Sequence, residues 1–482
     1  MKAAVIGAGA AGLFSALALA RSGVDVVFLE AGSRVAPLLR GFSRGGLHFD
    51  VGFHIAGALD EKGILRRYLN FAGILEHVTL LPQNEECRLF RFTDPDTRAD
   101  ISVPCGVSAA ARYFSGLWPE YEQEITGFRQ DVENAFVRSP FLNPETLSWN
   151  SMASLPTTGC AARLEAMRLP LRLGSLLTAC ALYYGVPPQK AVFEDLALVT
   201  YAMSEGVHRI AGGGAALASA YERALAQAGI RPVLRTPVIN LVLEKERGIT
   251  GVRTAAGDII ACDACIYTGH PSALPAMLPP DSLRARTADR LASLEETFSV
   301  FMLFGATSSG FLNGREMFLC GSDSLDEAFA GPALHRSWVH VCCGDKNARG
   351  EYPVVACCRA VESPGREAAQ KGARPPDYAR WKQDMGNNLL NHIREHVPEL
   401  ADLRFVDAAS EHTMRDWVYG SRGGIYGAMH SASAMPVLPV TRIKGLFLAG
   451  QSIILPGLLG ATISGAMAVG GLIGFPRLYE GF

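Results

Sequence analysis

Three glycines and one acid near the head of the chain carry the most readable chemistry. Gly7, Gly9 and Gly12 stand in the run Gly7-Ala8-Gly9-Ala10-Ala11-Gly12, and Glu30 follows at close to the ~20 residues expected of a ribose-binding acid. Each has its own physical task. Gly7 permits a tight turn, Gly9 lets backbone approach a pyrophosphate, and Gly12 lets a helix pack closely on a strand. The helix opening there offers free N–H groups and a partial positive charge to phosphate. Glu30 can accept hydrogen bonds from ribose hydroxyls. A second group lies far along the chain, where Gly450 and Gln451 end the apolar run LFLAGQ and Pro456-Gly457-Leu458-Leu459-Gly460 opens a helix of small residues. A polar residue at that strand end can reach a ribityl chain. A helix N-terminus can face the N1–C2=O edge of a flavin and favour negative charge on its reduced form. A simple nicotinamide domain does not need this second element, so the two groups together indicate FAD.

These residues need a scaffold, and the flanking pattern supplies one. The apolar runs 3–6 and 24–29 read as buried parallel strands with a helix over 13–21 between them. A third piece opens with Gly212-Gly213-Gly214 and continues as a helix over 215–228, a strand over 237–243, a hairpin (251–253 and 258–261) and the run CIYTGHP at 265–271. Backbone near Val238 would lie against the adenine. The expected fold is α/β: a discontinuous Rossmann-type FAD domain with a parallel sheet (1–60, 205–290 and 440–482) joined to a mixed α+β substrate domain (61–204 and 291–439). In the latter, strands are expected at 298–304, 337–343 and 353–358, covered by a helix over 376–396.

Bulk properties set limits. The chain has 482 residues, 49% of them apolar and 19% charged, with a formal net charge of -2, which argues against a nucleic-acid binder. Its eleven cysteines show no disulfide framework and read as buried thiols of a reducing compartment, the cytoplasm. Cys262 and Cys265 form a lone CxxC, short of the four ligands of a zinc site. No GxSxG elbow is present. The first twenty residues imitate a signal peptide, but the motif glycines interrupt the apolar run. Residues 445–476 lack any charge yet read as strand, turn and helix rather than a membrane span. Residues 169–186, with Arg163, Arg168 and Arg172 nearby, could form a basic amphipathic element peripheral to an anionic membrane, or a core helix with a solvated arginine face.

Four stretches resemble one known group of flavoproteins, the phytoene desaturases, carotenoid isomerases and retinol saturases: VIGAGAAG at the start, FDVGFHIAG at 49–57, GGIYGAMH at 423–430 and LFLAGQSIILPGLLGATISGA at 446–466. The His in FDVGFHIAG and the Gln after LFLAG are most similar to the retinol saturase branch. The resemblance implies that Gly52 and His54 cross near the isoalloxazine and that the Tyr426 loop approaches it from the substrate side. Arg34 matches the arginine that follows the family's ribose acid, but the usual glycine pair is replaced by Ala36 and Pro37. Pro37 lacks an N–H, so the backbone is expected to approach the flavin differently. His54 could donate a proton or merely pack; Tyr426 could donate one or wall the pocket; His430 is a third candidate. The implied reaction is saturation or desaturation of a carotenoid, a retinoid or a polyene acyl chain on a carrier protein, with an external electron donor or acceptor. Three alternatives stay open: flavin-dependent cis–trans isomerisation, amine oxidation, and non-enzymatic carriage of a prenyl lipid.

Overall fold

The computed structural model describes residues 1–140, 158–331, 333–360, 363–365, 372–418, 423–480 and 482. At its centre are two sheets with a cavity between them. The first is parallel and four-stranded, in the order Leu446–Leu448, Ala264–Tyr267, Lys2–Ile6, Asp25–Leu29. Its two inner strands are short and largely apolar because both faces are covered; Ala3, Ala4, Val5, Cys265 and Ile266 are wholly buried. The helices Ala10–Arg21 and Gly457–Ile473 pack on each other at one face. Small residues set how closely they pack: a Cβ on Gly465 would lie 2.8 Å from the Ala11 carbonyl oxygen. The uncharged run 445–476 is therefore a strand, a turn and an interior helix, and no helix among the described residues is long and apolar enough to cross a membrane. A three-stranded antiparallel sheet, Ile259–Ala261, Gly248–Thr254 and Val238–Glu244, flanks this layer.

The second sheet has seven strands, in the order Arg404–Ala409, Val300–Thr307, Tyr352–Arg359, Trp338–Cys343, Glu316–Cys320, Arg88–Phe92, Ala99–Val103. All neighbours are antiparallel except the pair Glu316–Cys320 and Arg88–Phe92. Alternation divides its two faces. Phe301, Leu303, Val339, Val341, Val354 and Ala356 point to the helix Tyr378–His396, which meets them with Leu389, Leu390 and Ile393. The opposite face carries Val300, Met302, His340 and Cys357 into the cavity. The hairpin Phe42–Arg44 and Leu47–Phe49 rests on the same side, with Phe49 and Phe304 ring centroids 5.6 Å apart.

Helices between residues 107 and 202 roof the cavity over the seven-stranded sheet. The stretch 169–186 belongs to this roof as two short pieces, Leu171–Leu177 and Ala179–Tyr183, with Leu173, Leu176 and Leu177 buried. Two of its three arginines have internal partners. Arg172 binds Asp323 at 2.6 Å and stacks over Phe92, while Arg163 pairs with Asp131 and stacks over Phe193. The expected basic face is thus largely neutralised within the protein.

Candidate active site

One cavity of about 1090 Å³ runs between the two sheets, slightly larger than the ~300–1,000 Å³ usual for a small-molecule site. One end is built from main chain. Gly7 turns at φ +98, and a Cβ on Gly12 would sit 1.8 Å from the Gly7 carbonyl oxygen, so both positions are dictated by the turn itself. Gly9 is different. A Cβ there would meet nothing within 4 Å, and the residue borders the cavity. Glu30, 7% exposed, accepts N–H bonds from Ala8 and Gly32, both at 2.6 Å. A carboxylate has about four acceptor sites, so capacity remains on its cavity side. Gly52, Val238, Gly450, Gln451, Leu459 and Gly460 line the same space. Gly450 is held by its N–H to Ser464 Oγ at 2.8 Å.

The main chain at Ala36-Pro37 follows a defined path. Ala36 takes the left-handed conformation a glycine would favour, at φ 53, and its N–H binds the Ala8 carbonyl at 2.8 Å. Pro37 falls at the first position of the short helix Pro37–Arg40, where no helical N–H partner is needed. Two motif residues lie off the cavity wall: Gly12, which acts through packing, and Arg34, which is exposed.

The other end is built from side chains. Asp50 accepts the Gly214 N–H at 2.9 Å, which fixes the segment leading to His54. His54 and Tyr426 both line the cavity, and neither side chain has a hydrogen-bond partner among the described residues. Burial, with the His340 charge beside it, lowers the His54 imidazole to about 4, and burial raises the Tyr426 phenol. His430 bonds through Nε2 to the Gln451 carbonyl at 3.1 Å and is lowered by burial; it holds the Gln451 turn.

Across from them is a polar cluster on the seven-stranded sheet. Glu316, with 2% of its side chain exposed, bonds His340 Nε2 at 2.8 Å and accepts from the Tyr183 hydroxyl at 2.7 Å. Arg88 stands 3.8 Å from the same carboxylate and donates to Tyr183 at 3.0 Å. Burial would raise Glu316, but His340, Arg88 and the Tyr183 hydroxyl together hold it below the usual carboxylate range. Burial would lower His340, yet Glu316 and the Cys357 thiol hold it up at about 10.

A family model for flavin-containing amine oxidoreductases matches residues 10–472. The chain belongs to the flavin-containing amine oxidoreductase family. It is 24% identical to the all-trans-retinol 13,14-reductase of Danio rerio, over 98% of this chain and 86% of that one. It is 27% identical to the hydroxyneurosporene desaturase of Rubrivivax gelatinosus, over 96% and 91%. A solved oxidoreductase from Methanosarcina mazei superposes with TM-score 0.65 at 14% identity, covering 98% of this chain and 100% of that one. This member of the amine oxidoreductase family is thus an FAD-dependent oxidoreductase, on a fold shared with solved flavoproteins.

The cavity fits the cofactor on its own terms. Packing alone gives no reason for glycine at position 9, where the space above the Cα is open; a pyrophosphate drawn to the adjoining helix N-terminus gives one. In this oxidoreductase Glu30 would take the ribose, backbone at Val238 the adenine, and Gln451 with the Leu458–Gly460 turn the flavin end. The sequence reading missed Arg88, Tyr183, Glu316, His340 and Cys357. A signal was present for two of them: Glu316 and His340 each stand in a strand that is otherwise apolar, EMFLC and WVHVCC, and such residues are seldom buried unless paired.

Proposed function

We propose that this protein saturates or desaturates a carbon–carbon bond in a long hydrophobic polyene: a carotenoid, a retinoid or a polyene acyl chain, free or carried by a protein. One observation carries the reading. The cavity does not end at the cofactor residues but continues into an apolar chamber sided by Leu182, Phe298, Val300, Met302, Phe318 and Trp338. Such a wall gains free energy from an apolar chain, about 25 cal/mol per Å² of apolar surface covered, and excludes water from it. The names of the retinol reductase and the hydroxyneurosporene desaturase support the same substrate class. When bound, FAD supplies two-electron hydride chemistry. The protein contributes binding through the glycine turn and Glu30, orientation through the apolar wall, and polar groups at one side of the chamber. An external donor or acceptor completes the electron balance.

The test is anaerobic. Holoprotein, with its flavin photoreduced in one arm and oxidised in the other, is mixed with a retinoid, a carotenoid, a polyene acyl thioester or an amine. A polyene product two hydrogens heavier or lighter, with the flavin changing redox state in step, is expected. Peroxide release with the amine and no polyene conversion would overturn the proposal. A polyene product of unchanged mass would move it to isomerisation.

A further inference from the structure

We infer that His340, set by Glu316, is the proton-transferring group of this pocket and supplies the proton when the polyene is saturated. This rests on the polyene reading above. Strand register puts the two side chains together. His340 lies opposite Phe318 on one neighbouring strand and opposite Cys357 on the other. Glu316 is two residues from Phe318 and so shares its face, and Arg88 lies opposite Glu316. The imidazole is thus held on the cavity-facing side of the sheet. Six residues surround it there: Glu316, Phe318 and Cys357 from adjacent strands, Arg88 behind Glu316, Tyr183 from the roof and His54 from the cofactor side, with the Tyr183 and His54 ring centroids at 6.3 and 6.1 Å.

Hydrogen bonding decides which nitrogen reacts. Ionised Glu316 accepts from Nε2 at 2.8 Å and keeps that nitrogen protonated whether the ring is charged or neutral. The proton that can leave is then on Nδ1, whose neighbour is the Cys357 Sγ at 3.9 Å, a weak partner that holds it loosely. His54 has no carboxylate bonded to it and is neutral near pH 7, and a buried phenol such as Tyr426 is a much weaker acid. In the forward step one olefinic carbon receives a hydride supplied by the reduced cofactor. The adjacent carbon receives the Nδ1 proton. The π bond is lost, two C–H bonds form, and His340 is left neutral on Glu316. A reduced nicotinamide or a reduced carrier protein must return two electrons to the cofactor, and solvent returns the proton.

Two measurements on holoprotein test this. The first uses histidine labelled with ¹⁵N, the His340 signals being identified by their loss in His340→Gln. Both ring nitrogens should be protonated at pH 8, above the ordinary histidine range of about 6.5, and Glu316→Gln should return the ring to neutrality there. A neutral His340 at pH 8 in wild type would overturn the inference. The second is single-turnover polyene reduction. His340→Gln should keep its FAD and lose ~10²–10⁴ in rate, the range for a general acid, with substrate affinity little changed. The wild-type rate should fall as pH rises through about 10; in Glu316→Gln that limb should move to lower pH. A variant with the wild-type rate and profile overturns His340 alone. A wild type that converts no polyene overturns the functional reading and this role with it.

Discussion

The two walls of the cavity do different kinds of chemistry. On the parallel-sheet wall almost everything offered to the cofactor is main chain, with Glu30 the main exception. On the seven-stranded wall the chemistry is side chain, and its members come from residues as distant in sequence as Arg88, Glu316 and Cys357. Main-chain recognition demands room, hence glycine at fixed spacing. Side-chain recognition demands register between strands. The first wall should respond to added bulk and the second to the loss of single functional groups.

The largest expected effects separate the two glycines of the turn. Gly12→Val puts atoms where the Gly7 carbonyl already is and should abolish folding, seen as loss of soluble protein and of cooperative melting. Gly9→Val meets no protein atom at its Cβ, so it should fold with wild-type circular dichroism and bind no FAD. Full flavin content in that variant would break the contrast between the walls. Glu30→Ala should come next, weakening FAD by ~1.5–3 kcal/mol, the usual worth of a hydrogen bond to a charged group, or roughly ten-fold or more in Kd. An unchanged dissociation constant by fluorescence titration would place the ribose elsewhere.

Smaller effects sharpen the comparison. Ala36 holds a left-handed conformation that costs a non-glycine residue about 1–2 kcal/mol, partly offset by the greater entropy a glycine loses on folding. Ala36→Gly should therefore raise stability by about 0.5–1 kcal/mol in a denaturant melt while leaving FAD affinity intact; a lower midpoint would contradict the strain argument. Tyr426→Phe should be nearly silent in turnover, because the proton is assigned to His340. A loss approaching ~10²–10⁴ would return the acid role to the phenol.

The same contrast explains what could be read from the sequence. Three of the four parallel strands, the helix after the glycines and the C-terminal helix follow from local signals: apolar runs, glycine spacing and small residues. The strands Val300–Thr307, Trp338–Cys343 and Tyr352–Arg359 and the helix Tyr378–His396 were legible for the same reason. Their order in the sheet was not, since Arg88–Phe92 enters from a region with little pattern and pairs with a strand far along the chain. The Glu316–His340 pair was hidden by that unknown order. His54 and Tyr426 both line the cavity, but nothing local indicated that burial would leave the first neutral and the second a poorer acid. Arg34, expected from the family resemblance, is exposed and does not line the cavity.

The strand order of the parallel sheet also bears on how the chain is made. Ala264–Tyr267 pairs on one side with Lys2–Ile6 and on the other with Leu446–Leu448. A ribosome adding about 5–20 residues per second reaches residue 446 on the order of ten seconds or more after residue 267. Throughout that interval the nascent sheet has a bare apolar edge, the kind of surface that pairs with other chains. The helix that closes over it arrives later still. The flavin end of the site can therefore be completed only late in synthesis, and until then the growing chain depends on dilution or on chaperones to keep that edge from finding the wrong strand.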